Sequence, residues 1–259
     1  MNRNINLLLK NFQSALKTQS ITPEDIDYTI LNYHIPFLER LDTIENSSVV
    51  LFDFFERKYR FLTARFKYLI GYDRDTALSE GPEYFLKQIH PDDLPYLIET
   101  TVETMRFTLE LPVDKRKDYK LCYSFRIRHA SGNYIRLVQQ VVTLELDRKG
   151  NPWLALITND LVPGEELDGP FRRFLINLKD SKYYLFTPDE KDTEKTCLLS
   201  AREIEILGLM AKGLPSKQIA GQLFISINTV NNHRANILRK MQAGNAAEAV
   251  QYAMRMGLV

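Results

Sequence analysis

The amino-acid sequence predicts an α+β protein: N-terminal helices, a five-stranded antiparallel sheet, and an all-α C-terminal unit of four helices. The sheet is indicated by two short, β-branched and aromatic segments after Val49, and by three longer segments after Leu121 that the turns ASGN and RKGN separate. The all-α unit is indicated by four short segments after Leu198 whose apolar residues recur at helical spacing. At 259 residues, the chain is long enough for two domains of ordinary size.

Composition narrows the classes of function. The net charge is +1, but residues from Ser200 onward contain seven Lys/Arg and three Asp/Glu, a balance of +4, which leaves −3 for the first 199 residues. This asymmetry favours an anionic partner for the C-terminal region. The two cysteines, Cys122 and Cys197, form no C-x-x-C pair, which fits a reducing compartment. No apolar run is long enough for a signal peptide or a membrane span, so a cytoplasmic protein without a membrane partner is expected.

Residues 1–46 are predicted to be a helical segment. Its first part carries an apolar stripe at three-to-four spacing, formed by Leu8, Leu9, Phe12 and Leu16. A second helix is expected after Thr22, a capping residue followed by Pro23 at the first helical position. Pro36 is expected to break or kink this helix, because proline removes a backbone donor.

Residues 47–162 have an order of predicted elements that is similar to a PAS domain: two strands, short helices, a longer helix and three antiparallel strands. The resemblance rests on the stretches FKYLIGYDRD, IHPDDLP and FRIRHASGNYIRL. It implies a sensor for a small ligand, a redox or light cofactor, or a protein partner. Residues 163–197 are predicted to be a linker in which a β-hairpin is expected.

The third helix of the C-terminal unit, predicted from Ser226 to Lys240, has two unlike sides. At about 100° per residue, one side gathers Val230, Ile237 and Met241, with Leu238 beside them, and is expected to pack on neighbouring helices. The opposite side lacks acids and presents polar or small residues: Asn228, Asn232, Ala235 and Arg239, flanked by Asn231 and Asn236. Asn can hold the edge of adenine in the major groove, and Arg can hold guanine or a phosphate. The sequence therefore predicts that this side meets DNA.

Residues 198–259 closely resemble the LuxR-type helix-turn-helix domain, also called the GerE or FixJ type. The matching elements are LS.RE.E.L, then G...K.IA..L.IS..TV..H..NI..K, and the closing A..YA...GLV. The resemblance implies that the third helix reads DNA and that the fourth carries a dimer contact. It places Asn231, Asn232 and Ala235 at base edges. It places near phosphates the residues Lys217, Gln218, Ser226, Thr229 and Arg239. The family's common lysine after TV is Asn231 here, so base preference does not carry over.

Several side chains have a structural interpretation beside a functional one. Ser200 and Glu203 are spaced as a capping box at the start of the first helix of this unit. Arg234 falls toward the packed side of the third helix, where an ion pair with Glu203 or Glu205 is expected. His90 could ligate haem, but before a proline in a turn it is more often a capping or packing residue. No cofactor is predicted.

The sequence thus predicts a DNA-binding transcriptional regulator rather than an enzyme, since no catalytic motif is present. The PAS-like domain would sense a ligand or partner and control a dimeric helix-turn-helix. The expected partners are double-stranded DNA, a second copy of the chain, and a small molecule or protein as input. The alternatives are a protein-interaction module, or a haem or flavin redox sensor with a secondary or absent DNA role.

Overall fold

A computed structural model describes residues 21–162, 171–179, 183–185, 199–241 and 243–259. The chain divides into two compact units, residues 1–174 and 175–259. The apolar stripe predicted between Leu8 and Leu16 lies outside the described residues, as do Cys197 and most of the predicted linker. The domain boundaries expected after residues 46, 162 and 197 stay predictions.

The first described segment is a helix that leads into the sheet. Short 3-10 turns at Pro23–Asp25 and Tyr28–Ile30 precede helix α1, Leu31–Asp42. The helix continues through Pro36, so it is not broken there, and the expected alternative of a kink stays a prediction. Apolar side chains from both halves of α1 pack on the core cluster around Trp153, and this continuous packing offsets the missing backbone hydrogen bond.

The first unit is built on an antiparallel sheet, as predicted. Strands β1 (Ser48–Asp53), β2 (Lys58–Leu62), β3 (Tyr119–Arg128), β4 (Tyr134–Leu146) and β5 (Pro152–Leu161) match the five expected segments. The pairs β1–β2, β1–β5, β3–β4 and β4–β5 are antiparallel. The strand order is β2-β1-β5-β4-β3, and the sheet continues with β6 (Arg172–Asn177) and β7 (Tyr183–Leu185), which come from the predicted linker.

Four helices connect β2 to β3. They are α2 (Arg65–Ile70), α3 (Arg74–Glu80), α4 (Pro82–Leu86) and the long α5 (Leu94–Glu110). Gly71 ends α2 with a φ of +78°, a left-handed conformation that favours glycine. Two strands, short helices, one long helix and three strands make this unit PAS-like, and the α+β prediction is confirmed.

The described part of the second unit contains the four predicted helices. They are α6 (Ala201–Ala211), α7 (Ser216–Leu223), α8 (Ile227–Lys240) and α9 (Ala246–Met256). The capping box is present, because Glu203 N–H donates to Ser200 Oγ at 3.2 Å and Ser200 N–H donates to Glu203 Oε2 at 2.7 Å. The helices share a buried core that includes Leu207, Ile219 and Ala249. Across the described residues of both units, no helix has the length and apolar character that a membrane crossing needs.

Candidate nucleic-acid interface

Helix α8 is held in the second unit by its apolar side. Val230 and Ile237 are fully buried, Met241 is buried just after the helix, and Leu238 is half-buried. These are the residues that the helical wheel assigned to the packed side. Their burial fixes the rotation of α8, and so determines which side chains face outward.

The opposite side of α8 faces solvent. The exposed side chains are those predicted to meet bases and phosphates: Asn228, Asn231, Asn232, Ala235, Asn236 and Arg239. Lys217 and Gln218 are exposed on α7, in its first turn. No acidic residue occurs in α8. Apart from Ala235, the exposed residues of this side have hydrogen-bonding side chains, and none of them is negatively charged.

The start of α8 is capped by its own side chains. Thr229 N–H donates to Ser226 Oγ at 3.0 Å, and the two hydroxyl oxygens lie 2.8 Å apart. Ser226 is exposed and Thr229 is half-buried. The first N–H groups of a helix have no partner within it, and together with the helix dipole they favour an anion at this end.

The turn between α7 and α8 has an unusual residue. Phe224 ends α7 with φ +55° and ψ +42°, in the left-handed region, and 94% of its surface is exposed. The turn is braced by Arg202 Nη2, which donates to the carbonyl oxygen of Leu223 at 3.0 Å. Sequence reasoning missed both residues. The apolar pattern gives no signal for Phe224, because a left-handed position is normally indicated by glycine or asparagine.

A partly buried ion pair ties the end of α8 to the start of α6. Lys240 Nζ lies 2.7 Å from Glu203 Oε2, and Glu203 is only 3% exposed. Burial opposes ionisation of Glu203, but the hydrogen bonds from Lys240 and Ser200 outweigh it, so the pKa of this carboxyl is below its usual value. The predicted pairing of Arg234 is wrong, since Glu203 pairs with Lys240 and Glu205 pairs with Arg202 at 2.6 Å.

That pairing was misassigned for a geometric reason. A helical wheel shows only the angle of each side chain around the helix axis, and by that angle Arg234 lies on the packed side. It does not show which residues of a neighbouring helix lie at the same height along α8. The carboxylate of Glu203 is held at the first turn of α6 by the capping box, and the C-terminal end of α8 reaches it, not the middle.

The first unit contains a cavity of about 130 Å³. Its wall is mostly apolar and aromatic and is formed by the sheet together with α2, α4 and α5. Residues such as Phe52, Phe85 and Leu97 line it, and none of the described lining residues is charged. An uncharged, apolar cavity of this kind suits a small neutral molecule.

One side of the cavity carries a chain of polar side chains. Tyr123 Oη donates to Gln139 Oε1, and Gln139 Nε2 donates to Asn159 Oδ1 at 2.6 Å. Burial raises the pKa of Tyr123, so its phenol stays protonated and keeps this donor role. The three side chains offer fixed hydrogen-bonding groups in otherwise apolar surroundings.

His90 has the structural role that its turn position favoured. Its Nδ1 accepts from Asp92 N–H at 3.2 Å, and its ring packs edge-on against Tyr134 with centroids 4.6 Å apart. Within the described part of the chain, no group of three or more His, Cys, Asp or Glu side chains is arranged to hold a metal ion.

A short helix, a braced turn and a second helix with one buried and one polar side define a helix-turn-helix unit, the class of fold that places its second helix in the DNA major groove. Residues 197–253 match the family of bacterial regulatory proteins, luxR family, known as GerE. The chain therefore has a PAS-like unit and, over residues 197–253, a helix-turn-helix domain of the luxR type.

Curated relatives are similar over a short segment. The oxygen regulatory protein NreC of Staphylococcus carnosus (strain TM300) is 44% identical over 62 residues, which are 24% of this chain and 29% of that protein. NreC of Staphylococcus aureus (strain JH9) is 42% identical over 67 residues, 26% of this chain and 31% of that protein. The match thus spans less than a third of these relatives' length.

Solved structures resemble longer parts of the chain at low identity. The phage VqmA–DPO complex covers 88% of this chain and 89% of its own, with 15% identity and a TM-score of 0.36. The PAS domain of a protein from Colwellia psychrerythraea covers 51% of this chain and 99% of its own, with 13% identity and a TM-score of 0.39.

Proposed function

We propose that this protein is a transcription regulator in which α8 reads the major groove and the PAS-like unit controls DNA binding. The observation that carries the proposal is the division of α8 into a buried apolar side and an exposed, acid-free side within a luxR-type domain. Asn231 and Asn232 would contact base edges, while Lys217 and Arg239 would contact phosphates. Phosphate contacts position such a protein, and base contacts specify the site.

Two copies would bind together, at half-sites about one helical turn (~34 Å) apart. Helix α9 supports this arrangement. Ala249 and Ala253 are buried, whereas Ala246 and Val250 are half-buried and Met254 is exposed, so a second stripe at four-residue spacing faces outward. A second copy packing on this stripe would pair the two recognition helices.

Control would begin in the cavity of the first unit. A small neutral ligand there would contact the ring of Tyr123, which on β3 also stacks on Phe171 with centroids 6.0 Å apart. Phe171 directly precedes β6. On the same strand, Arg173 Nη1 donates to Thr100 Oγ1 of α5 at 2.9 Å and lies 3.2 Å from Glu103. Movement of β3 or α5 around a ligand would thus reach β6, the start of the segment that leads toward the DNA-binding domain.

The first experiment selects duplexes from a random library with the full-length protein and measures affinity for the recovered site against salt concentration. If Lys217 and Arg239 each neutralise one phosphate in each of two copies, four contacts predict a slope of log K on log salt of roughly −3.6. A slope of roughly −1.8 would indicate a single bound copy. Failure to recover any duplex, or binding that ignores salt, would contradict the proposal.

The second experiment separates base reading from phosphate contact. Asn232→Ala should weaken binding to the selected site by roughly tenfold for each bound copy and relax its sequence preference, because a bidentate base contact is worth ~1–3 kcal/mol. Arg239→Ala should weaken binding and lower the salt slope. Lys212→Ala is the matched control, since Lys212 is an exposed cation of the same unit outside the proposed surface. If neither Asn232→Ala nor Arg239→Ala differs from Lys212→Ala, α8 does not enter the groove.

Ligand sensing needs its own test. Protein purified from its native host is denatured, and small molecules released from it are identified by mass spectrometry. A Val141→Trp variant, which places a large ring at a residue lining the cavity, should release none. Equal release from both proteins would show that the cavity is not the binding site.

A further inference from the structure

Phe224 combines two features that each lower stability. Among the described non-glycine residues, only Arg57 and Phe224 have positive φ, and this conformation brings the β-carbon close to the following carbonyl oxygen. The Phe224 side chain is also almost fully exposed, so its ring gains nothing from burial in the folded unit. A strained backbone and an unburied aromatic ring at one position point to a function outside folding.

The ring is nevertheless presented by a rigid turn. Phe224 N–H donates to the carbonyl oxygen of Ala220, and Ile225 N–H donates to the same oxygen at 3.0 Å. Arg202 holds the preceding carbonyl, at Leu223. Two residues further on, Ser226 caps α8. The backbone on both sides of Phe224 is thus hydrogen-bonded, and the direction of its side chain is set before any partner binds.

The position of the ring suggests what it meets. Phe224 lies between the two helices of the helix-turn-helix, just before the end of α8 that favours an anion. Ile227, in the first turn of α8, is also exposed and apolar. Deoxyribose is the apolar part of the DNA backbone, and it lies beside each phosphate that a helix N-terminus would contact.

We propose that Phe224 is a DNA-contacting residue whose ring packs on deoxyribose at the edge of the major groove. The inference rests on the proposed DNA binding and adds a contact of a different kind. The ring carries no charge, so it releases no counterions and adds affinity that does not depend on salt. It makes no hydrogen bond to a base, so it adds affinity to every sequence alike.

The test uses full-length variants that keep the left-handed turn. Phe224→Gly and Phe224→Asn both suit positive φ, so each should fold with an unchanged or raised melting temperature. Burial of about 50 Å² of ring surface in each copy predicts that both variants bind the selected duplex roughly eightfold more weakly for each bound copy, and roughly seventyfold more weakly for two copies, with an unchanged salt slope. Phe224→Tyr keeps the aromatic ring and should bind the duplex as tightly as the wild type. Tyr68→Ala is the matched control, because it removes an exposed ring from the first unit.

The outcomes separate this inference from the proposed function. If the wild type binds DNA and Arg239→Ala weakens it while Phe224→Gly binds normally, the deoxyribose contact is refuted and DNA binding stands. If Phe224→Gly binds DNA normally but loses transcription activity in cells, the ring meets a protein, which also refutes the inference. A lower salt slope in Phe224→Gly would mean that the turn itself has shifted the phosphate contacts, and this too would overturn it. If the wild type binds no duplex, the proposed function itself fails.

Discussion

The ion pair between Glu203 and Lys240 should be the main electrostatic support of the DNA-binding domain. Glu203→Gln keeps an oxygen that can accept from Ser200 N–H but removes the charge that faces Lys240. The Lys240 side chain is 28% exposed, so water can replace only part of the interaction that its ammonium group loses when the carboxylate of residue 203 is removed. Because charge-assisted hydrogen bonds are worth ~1.5–3 kcal/mol each, a loss of about 2 kcal/mol is expected.

The assay is amide hydrogen exchange in the full-length protein, since it reports the opening of α6 and α8 separately from the first unit. A loss of about 2 kcal/mol corresponds to roughly thirtyfold faster exchange in both helices. Glu205→Gln is the control, because Glu205 is half exposed and its pair with Arg202 lies on the surface. If the two variants exchange at the same rate, the partly buried pair does not support the domain.

The same pair predicts a dependence on pH. The pKa of Glu203 in the folded protein is below its usual 4.5, so its contribution is complete above that value and is lost as the pH falls through the folded-state pKa. The difference in exchange between wild type and Glu203→Gln should therefore be constant near neutrality and shrink below about pH 4.5. A difference that grows on acidification would refute the assignment of the charge.

Three further predictions test the fold, the first of them by comparing two substitutions. Gly71→Ala should lower the free energy of unfolding, measured by chemical denaturation, by about 2 kcal/mol or more, because the added Cβ would lie 2.8 Å from the Cβ of Ala130 and φ is +78°. Gly132→Ala should lower it by only about 1 kcal/mol, because φ is +97° but nothing lies within 4 Å of the added Cβ. Equal losses would refute the steric reasoning. Gly221→Ala should stabilise α7 by ~0.5–1 kcal/mol, seen as a higher melting temperature, because the added methyl would have no atom within 4 Å apart from its chain neighbours and the backbone of its own helix; a lower melting temperature would contradict this. Gln139→Leu should cost ~1–3 kcal/mol in chemical denaturation by leaving buried polar neighbours unpaired, and an unchanged midpoint would show that water satisfies them.

The elements were predictable where one physical signal dominates. Strand β3 contains LCYSFRIR, the first of the three longer segments, in which Leu121, Tyr123, Phe125 and Ile127 alternate with the residues of the other face. Helix α6 begins where the capping box indicates. Alternation did not reveal that Cys122 and Ser124, on the other side of β3, are buried as well. Periodicity indicates which residues share a face of a strand, but whether a second layer covers that face depends on contacts distant in sequence.

The residues that form the exposed side of the candidate site were predictable from the sequence, but the contacts that hold α8 and its preceding turn in place were less so. The exposed residues of α8 follow from helical spacing together with the packed stripe, because one rotation satisfies both. Pro36 lies inside a helix because packing on the core outweighs the tendency of proline to end one. The sequence around Pro36 gives no sign of this packing, because the core residues lie far away along the chain. The backbone angle at Phe224 is set by hydrogen bonds that close the end of α7, and these depend on the turn as a whole.

The charges of the DNA-binding domain are divided in a way that favours anion binding on one surface. All three acids from residue 200 onward have partners away from the exposed side of α8: Glu203 holds Lys240, Glu205 holds Arg202, and Glu248 accepts from Gly244 N–H at 2.6 Å. These pairs neutralise two cations, so Lys217 and Arg239 act in a surface from which negative charge is absent. Each pair removes one cation together with one acid, so the balance of +4 read from the sequence is unchanged by pairing. What pairing determines is where the charge lies, and the exposed side of α8 has Arg239 without any acid in the same helix.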